Sequence, residues 1–250
     1  MRFAHTTARW LLVGALFALG AVPAAAGTSA APEVTDIAGD ANGINGQGRT
    51  TQAGQDTRPA SVDSADLRAV WFETSWGKTK DIDPASGAVT RVRHVPLSLR
   101  VHVQTTAPIY PASVEGMRPL SYDVGAKLPG GCDIRMRLTV GGNQATDSAV
   151  LHTLTPVCAG GASTTGDSTK PTYAGNVATF SYPFAVERFG AVLQSGIALS
   201  GVSANVSRSV PFAGSVMIDE TPASATTFTI GQDVPADIDC TTTPSPDCAP

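Results

Sequence analysis

Cys132-Asp133-Ile134-Arg135-Met136-Arg137-Leu138-Thr139-Val140 is the stretch that decides the fold. Ile134, Met136, Leu138 and Val140 alternate with Asp133, Arg135, Arg137 and Thr139. A period of two places one set of side chains inward and the other outward on a half-buried strand. Gly141-Gly142-Asn143 then marks a turn, and Ala149 to Val157 returns as a second strand that ends at Cys158. With the hairpin centred near Ala145, Cys132 falls opposite Cys158 at the open end. A disulfide between them requires their Cβ atoms to approach within about 4.5 Å.

The same period recurs on both sides of this hairpin. Leu97, Leu99, Val101 and Val103 alternate with Ser98, Arg100, His102 and Gln104, so His102 is expected on the solvent face. Leu67 to Trp76 carries apolar and aromatic side chains on both faces, which predicts a central strand packed on two sides. Later runs at Val177–Val186, Gly196–Val206, Ser215–Ile218 and Thr226–Ile230 are equally short, and Pro183 turns the second half of the first into an edge or bulge. The best helical segment is a turn or two around Val186 to Gln194. These elements, punctuated by Gly and Pro, predict an all-β chain, an antiparallel β-sandwich of jelly-roll type over residues 63–232.

The flanks read differently. Arg2 and Arg9 precede an apolar run from Trp10 to Val22, shorter than the roughly 20 residues a membrane-spanning helix needs, and Ala24-Ala25-Ala26 is a small-residue cleavage pattern. Residues 1–26 are therefore expected to be a signal peptide, with no stable membrane anchor, and the chain to be secreted and extracellular. Residues 27–62 form a Gly-, Thr- and Gln-rich acidic arm or loop, and 233–250 a Thr- and Pro-rich tail. The chain has 17 basic and 21 acidic residues, a net charge of -4. Removal of Arg2 and Arg9 makes this 15 against 21, or -6. Such a balance argues against nucleic acid as a partner. The four cysteines allow three pairings, of which Cys132–Cys158 with Cys240–Cys248 is the least demanding; two bridges suit an oxidising compartment.

Signatures of catalysis are missing. After processing, His94, His102 and His152 remain, with no HExxH spacing and no GxSxG elbow. The expectation is a non-enzyme; the alternative is a hydrolase drawing its acids from Asp63, Asp66, Glu73 or Asp219. Asp36, Asp40 and Asn42 lie among glycines and supply the hard oxygen ligands that calcium takes, with Asp66 and Asp219 to complete a shell. An Asp/Asn/Gly turn without an ion reads the same residues equally well. Trp76, at a strand end, is the best candidate for stacking on a sugar, ahead of Trp71, Tyr110 and Tyr122.

Asp36-Ile37-Ala38-Gly39-Asp40, Asp66-Leu67, Phe180-Ser181-Tyr182-Pro183, Gly196 to Ala204, and Asp219-Glu220-Thr221-Pro222 leading to Phe228 resemble, in order, phrases of secreted bacterial DOMON-like and family-9 carbohydrate-binding modules. The resemblance covers residues 33–232. It implies a jelly-roll sandwich, often with a structural calcium ion and sometimes a sugar-binding face. The Gly-, Gln- and Thr-rich stretch at 41–61 and the two cysteine pairs depart from that pattern. The function expected is that of a structural, adhesion or ligand-binding module meeting a cell-wall or extracellular glycan or protein.

Overall fold

The structure, a computed structural model, describes residues 32–36, 41, 43–44, 50–51, 64–109, 120–141, 146–155, 158, 163–210 and 214–249. The segment read as a signal peptide lies outside them. In chain order the strands are β1 (Val34–Thr35), β2 (Gly43–Ile44), β3 (Thr50–Thr51), β4 (Leu67–Ile82), β5 (Val89–Thr105), β6 (Leu120–Leu128), β7 (Cys132–Val140), β8 (Ser148–Thr153), β9 (Ser163–Thr169), β10 (Thr172–Ala174), β11 (Val177–Pro183), β12 (Ala198–Val210), β13 (Gly214–Glu220), β14 (Phe228–Thr229) and β15 (Ile238–Asp239). A short helix, α1 (Glu187–Gly190), falls where a helical turn was expected.

Two antiparallel sheets make the sandwich. The first runs β1-β4-β5-β11-β10, with β15 on β5; the second runs β13-β12-β6-β7-β8-β9, with β14 on β12. Alternation decides which side chains meet between them. Val70, Phe72, Val101, Val103 and Phe180 of the first sheet join Tyr122, Val124, Met136, Leu138, Leu151 and Val206 of the second in one core. Each large apolar side chain buried there contributes about 1.5–3 kcal/mol. Tyr182 is buried in the same core and donates its hydroxyl to Val150 O at 3.2 Å, tying the sheets together. Burial pushes its hydroxyl pKa well above the ordinary value of 10.0.

The strand at Cys132–Val140 alternates as read, with buried residues at every second position. Its partner stops earlier than expected, at Thr153 rather than Val157, because the register pairs Ile134 with Thr153. Cys158 then returns through a turn closed by Cys158 N and Thr155 O, and bonds Cys132 from the loop rather than from an opposed strand position. Cys240 pairs with Cys248 as expected. Leu97 departs from the predicted face: Ser75 pairs with Ser98 and Trp76 with Pro96, so Leu97 is the extra residue of a bulge and is 50% exposed. β4 is also not the doubly packed central strand expected of it. Its outer neighbour β1 covers only two residues, and Trp71, Glu73 and Ser75 stay on a half-exposed face.

β4 and β5 run on past the sandwich as a two-stranded arm that ends at the pairing of Ile82 with Val89. Their exposed backbone edges are capped by acidic side chains. Phe72 N donates to Glu33 at 2.9 Å, Thr74 N to Asp233 at 2.7 Å, and His94 N to Asp237 at 3.0 Å. These caps satisfy edge amides that would otherwise invite a further strand, and β15 covers β5 at Arg91 and Val92.

Candidate functional site

The register of β4, β5 and β11 sets polar side chains in rows across the outer face of the first sheet. Trp71 lies opposite His102, and His102 opposite Thr179; Glu73 lies opposite Arg100, and Arg100 opposite Ser181. Inward-facing Phe72, Val101 and Phe180 hold these three strands against the core. The outward set is therefore mounted on a rigid support.

Within it each group is held by another. The Trp71 and His102 rings stack at 4.9 Å with their planes 4° apart. His102 Nδ1 meets Thr179 Oγ1 at 2.9 Å, and Nε2 meets Glu73 Oε2 at 3.2 Å. Between them these contacts fix the ring at both nitrogens, leaving its side chain only 12% exposed. The hydrogen bond from His102, aided by the charge of Arg100, holds the Glu73 carboxyl below its ordinary value of 4.5 against the opposing effect of burial. Arg100 touches Glu73 Oε1 through one nitrogen at 3.3 Å, and its side chain makes no other hydrogen bond among the described residues. A guanidinium carries five donors, so most of its capacity remains for a ligand.

The sequence-predicted site residues divide into several groups. Asp66 and Asp219 come together at the start of β4 with Asp36. Thr106 Oγ1 donates to Asp66 at 2.6 Å, Leu67 N to Asp219 Oδ2 at 2.7 Å and Glu220 N to Asp219 Oδ1 at 2.9 Å, while Asp36 N pairs with Arg68 O. Asp66 and Asp219 are 1% and 5% exposed. Both oxygens of Asp219 are thus engaged in closing the end of a strand. Among the described residues no group of three His, Cys, Asp or Glu side chains is placed to hold a metal ion. Asp40, Asn42, Asp63 and Tyr110 lie outside the described residues.

Tyr122 is a core residue, 1% exposed, whose hydroxyl donates to Ser64 O at 2.7 Å, so it offers no platform to a ligand. Trp76 is half-buried, edge-on to His94 at 4.8 Å. Its cross-strand partner Pro96 lines an open groove of about 480 Å³ with Phe184, Glu187, Gln194 and Ser195. At the back of this groove a Cβ on Gly190 would run into Phe184 O, so only glycine fits there.

Sequence reasoning missed the Trp71, Glu73, Arg100, His102 and Thr179 set as a unit. Arg100 and His102 were placed on the outward face, but nothing in sequence gives the register of β4 on β5. Leu120–Leu128 was also missed, although Leu120, Tyr122, Val124, Ala126 and Leu128 alternate with Ser121, Asp123, Gly125 and Lys127, a signal as clean as that of its neighbour.

These features define the class of a two-sheet antiparallel sandwich bearing an ordered polar and aromatic patch on one outer face. The chain matches no protein-family model, no curated protein and no solved structure. Among the described residues no helix is long and apolar enough to cross a membrane.

Proposed function

We propose that this chain is a secreted, non-catalytic β-sandwich module of a bacterial exterior that binds an extracellular glycan on the outer face of its first sheet. The observation that carries this reading is the pre-organised set of Trp71, His102, Glu73 and Arg100. Sugars are recognised by an aromatic ring against their C–H face and by rigid carboxylate and guanidinium groups at their hydroxyls. Here the imidazole is locked by two partners, the carboxylate is kept ionised, and the arginine retains free donors. Little side-chain entropy remains to be lost on binding. The DOMON-like and family-9 resemblance points to the same ligand class, and the two disulfides suit an extracellular address. Titration of polysaccharides against tryptophan fluorescence, with Arg100→Ala as control, tests the assignment; binding that Arg100→Ala leaves intact refutes this site.

A second reading rests on one observation: Glu73, His102 and Thr179 form a carboxylate–imidazole–hydroxyl chain, the arrangement that activates a nucleophile. It ranks second because β11 is paired on both sides, by β10 and β5, so the backbone N–H groups around Thr179 serve the ladder rather than an oxyanion. Ester hydrolysis abolished by both Thr179→Val and His102→Gln would favour it over the binding module.

A further inference from the structure

The outer face of the second sheet is built by the same alternation that fills the core. Ile134, Met136 and Leu138 of β7 are buried, so Arg135 and Arg137 stand together on the outward side, about 7 Å apart along the strand. The register of β12, β6, β7 and β8 lays Ser203, Gly125, Arg135 and His152 side by side in one row, with Asn205, Asp123, Arg137 and Val150 in the next. The carboxylates described around Arg135 are already matched. Arg137 grips Asp123 at 2.7 and 2.8 Å, and Lys127 lies 3.5 Å from Asp133.

Two features set Arg135 apart. Its side chain has no hydrogen bond or ion pair among the described residues, and its nitrogens stay open to solvent although the residue is half-buried in mid-sheet. A five-donor guanidinium is thus left with its charge uncompensated. The potential there is felt across the strand: burial, then the charges of Arg137 and Arg135, lower the pKa of His152 against the pull of Asp123. The second feature is the absence of a side chain at its cross-strand partner, Gly125. That residue makes a floor of bare backbone between Arg135 and Ser203, where a Cβ would come 3.4 Å from Ser203 Oγ.

We propose that Arg135 and Ser203, over the gap at Gly125, form an oxyanion site that takes one singly charged group of an acidic polymer: a sugar carboxylate, a sulfate ester or a phosphodiester. One uncompensated guanidinium matches one negative charge. Its planar fork holds two oxygens of such a group in parallel, and the Ser203 hydroxyl supplies a further donor from the other side of the gap. The site lies on the opposite sheet from Trp71 and Arg100 and is independent of the glycan face proposed there.

The test titrates glucuronate, methyl sulfate and dimethyl phosphate into the isotope-labelled mature protein, with glucose as the neutral control. Nuclear magnetic resonance reads the Arg135 Nε–H and the Gly125 and Ser203 amides. Saturable shifts are expected from the charged probes and none from glucose, and the tightest of the three identifies the source of the oxyanion. Arg135→Gln and Gly125→Val, which fills the gap with a strand-compatible side chain, are each expected to weaken binding at least about tenfold. Trp71→Ala is expected to leave it unchanged, which separates this site from the glycan face. Shifts that grow without saturating, or that persist in Arg135→Gln, mean an adventitious ion only and overturn the proposal. So does binding that survives Gly125→Val or is lost in Trp71→Ala. Should Gly125→Val not fold, Arg135→Gln still decides, because that side chain holds no other described residue in place.

Discussion

Two arginine–carboxylate pairs sit on the two sheets and are used in opposite ways. On the second sheet Arg137 grips Asp123 through two nitrogens at 2.7 and 2.8 Å, with the Asp123 side chain 5% exposed. On the first, Arg100 touches Glu73 through one nitrogen at 3.3 Å, and both side chains are more than a third exposed. A closed bidentate pair has little left to offer a ligand. The open pair keeps donors in solvent beside an aromatic ring, and its rigidity comes from His102 rather than from mutual saturation. A bidentate pair closed on a buried carboxylate builds the fold; charge that is ordered yet unsaturated is available for recognition.

This contrast is broken most severely at Asp123. Asp123→Ala removes the buried acceptor of a guanidinium that is itself 34% exposed and is expected to lower the unfolding free energy by about 1.5–3 kcal/mol, read from urea melts. Glu73→Gln is expected to change it by less than about 1 kcal/mol, since exposed pairs contribute little. Equal losses at the two positions would erase the distinction.

Next in size is Asp219→Ala, which strips the acceptor from the buried Leu67 N and is expected to cost about 1–3 kcal/mol. Such a loss on chelator-treated protein would show that this aspartate acts as a strand cap without any help from an ion. A melting temperature unmoved by the substitution would remove it from the structural class.

Glu33 and Glu73 sharpen the comparison through pH. Burial, reinforced by the charge of Asp233, raises the pKa of Glu33, while its bond to Phe72 N opposes the shift. For a carboxyl raised in the folded state, stability falls as pH rises through its ordinary and folded values. Glu33→Gln keeps an acceptor for Phe72 N and should raise the melting temperature at pH 7. Glu73 is lowered by His102, so its contribution is full above 4.5 and is lost as pH falls through the folded value. Glu73→Gln should therefore lower stability at pH 7 by a few tenths of a kcal/mol, small because the group is exposed, and leave it unchanged below the folded value, flattening the acid limb of the profile. A change of the opposite sign at either residue would contradict the assigned environments.

The sandwich was legible wherever one face is buried, because alternation is the direct imprint of burial on sequence; β7 and the inner positions of β5 and β11 show it. The bulge at Leu97 was not, since it depends on how Ser75 and Trp76 meet β5 across a hairpin. β15 was not either: two residues in a polar tail, next to the Cys240–Cys248 loop, carry no period that would announce their pairing with Val92 and Arg91. The site was legible only in fragments. Asp66 and Asp219 were singled out as oxygen ligands, and sequence does show that they flank strands. What it does not show is that a backbone amide from Leu67 and a hydroxyl from Thr106 occupy them. Trp71 and His102 are 31 positions apart, and only the register of β4 on β5 stacks their rings.

The most direct test is retention of the mature protein on immobilised cell-wall glycan, compared with Trp71→Ala at matched folding by circular dichroism. The predicted result is saturable retention that drops at least about tenfold, or 1.4 kcal/mol, when the ring is removed. Retention equal in both proteins, or none by the wild type on any glycan tried, would contradict the assignment of the outer face of the first sheet as a sugar-binding surface.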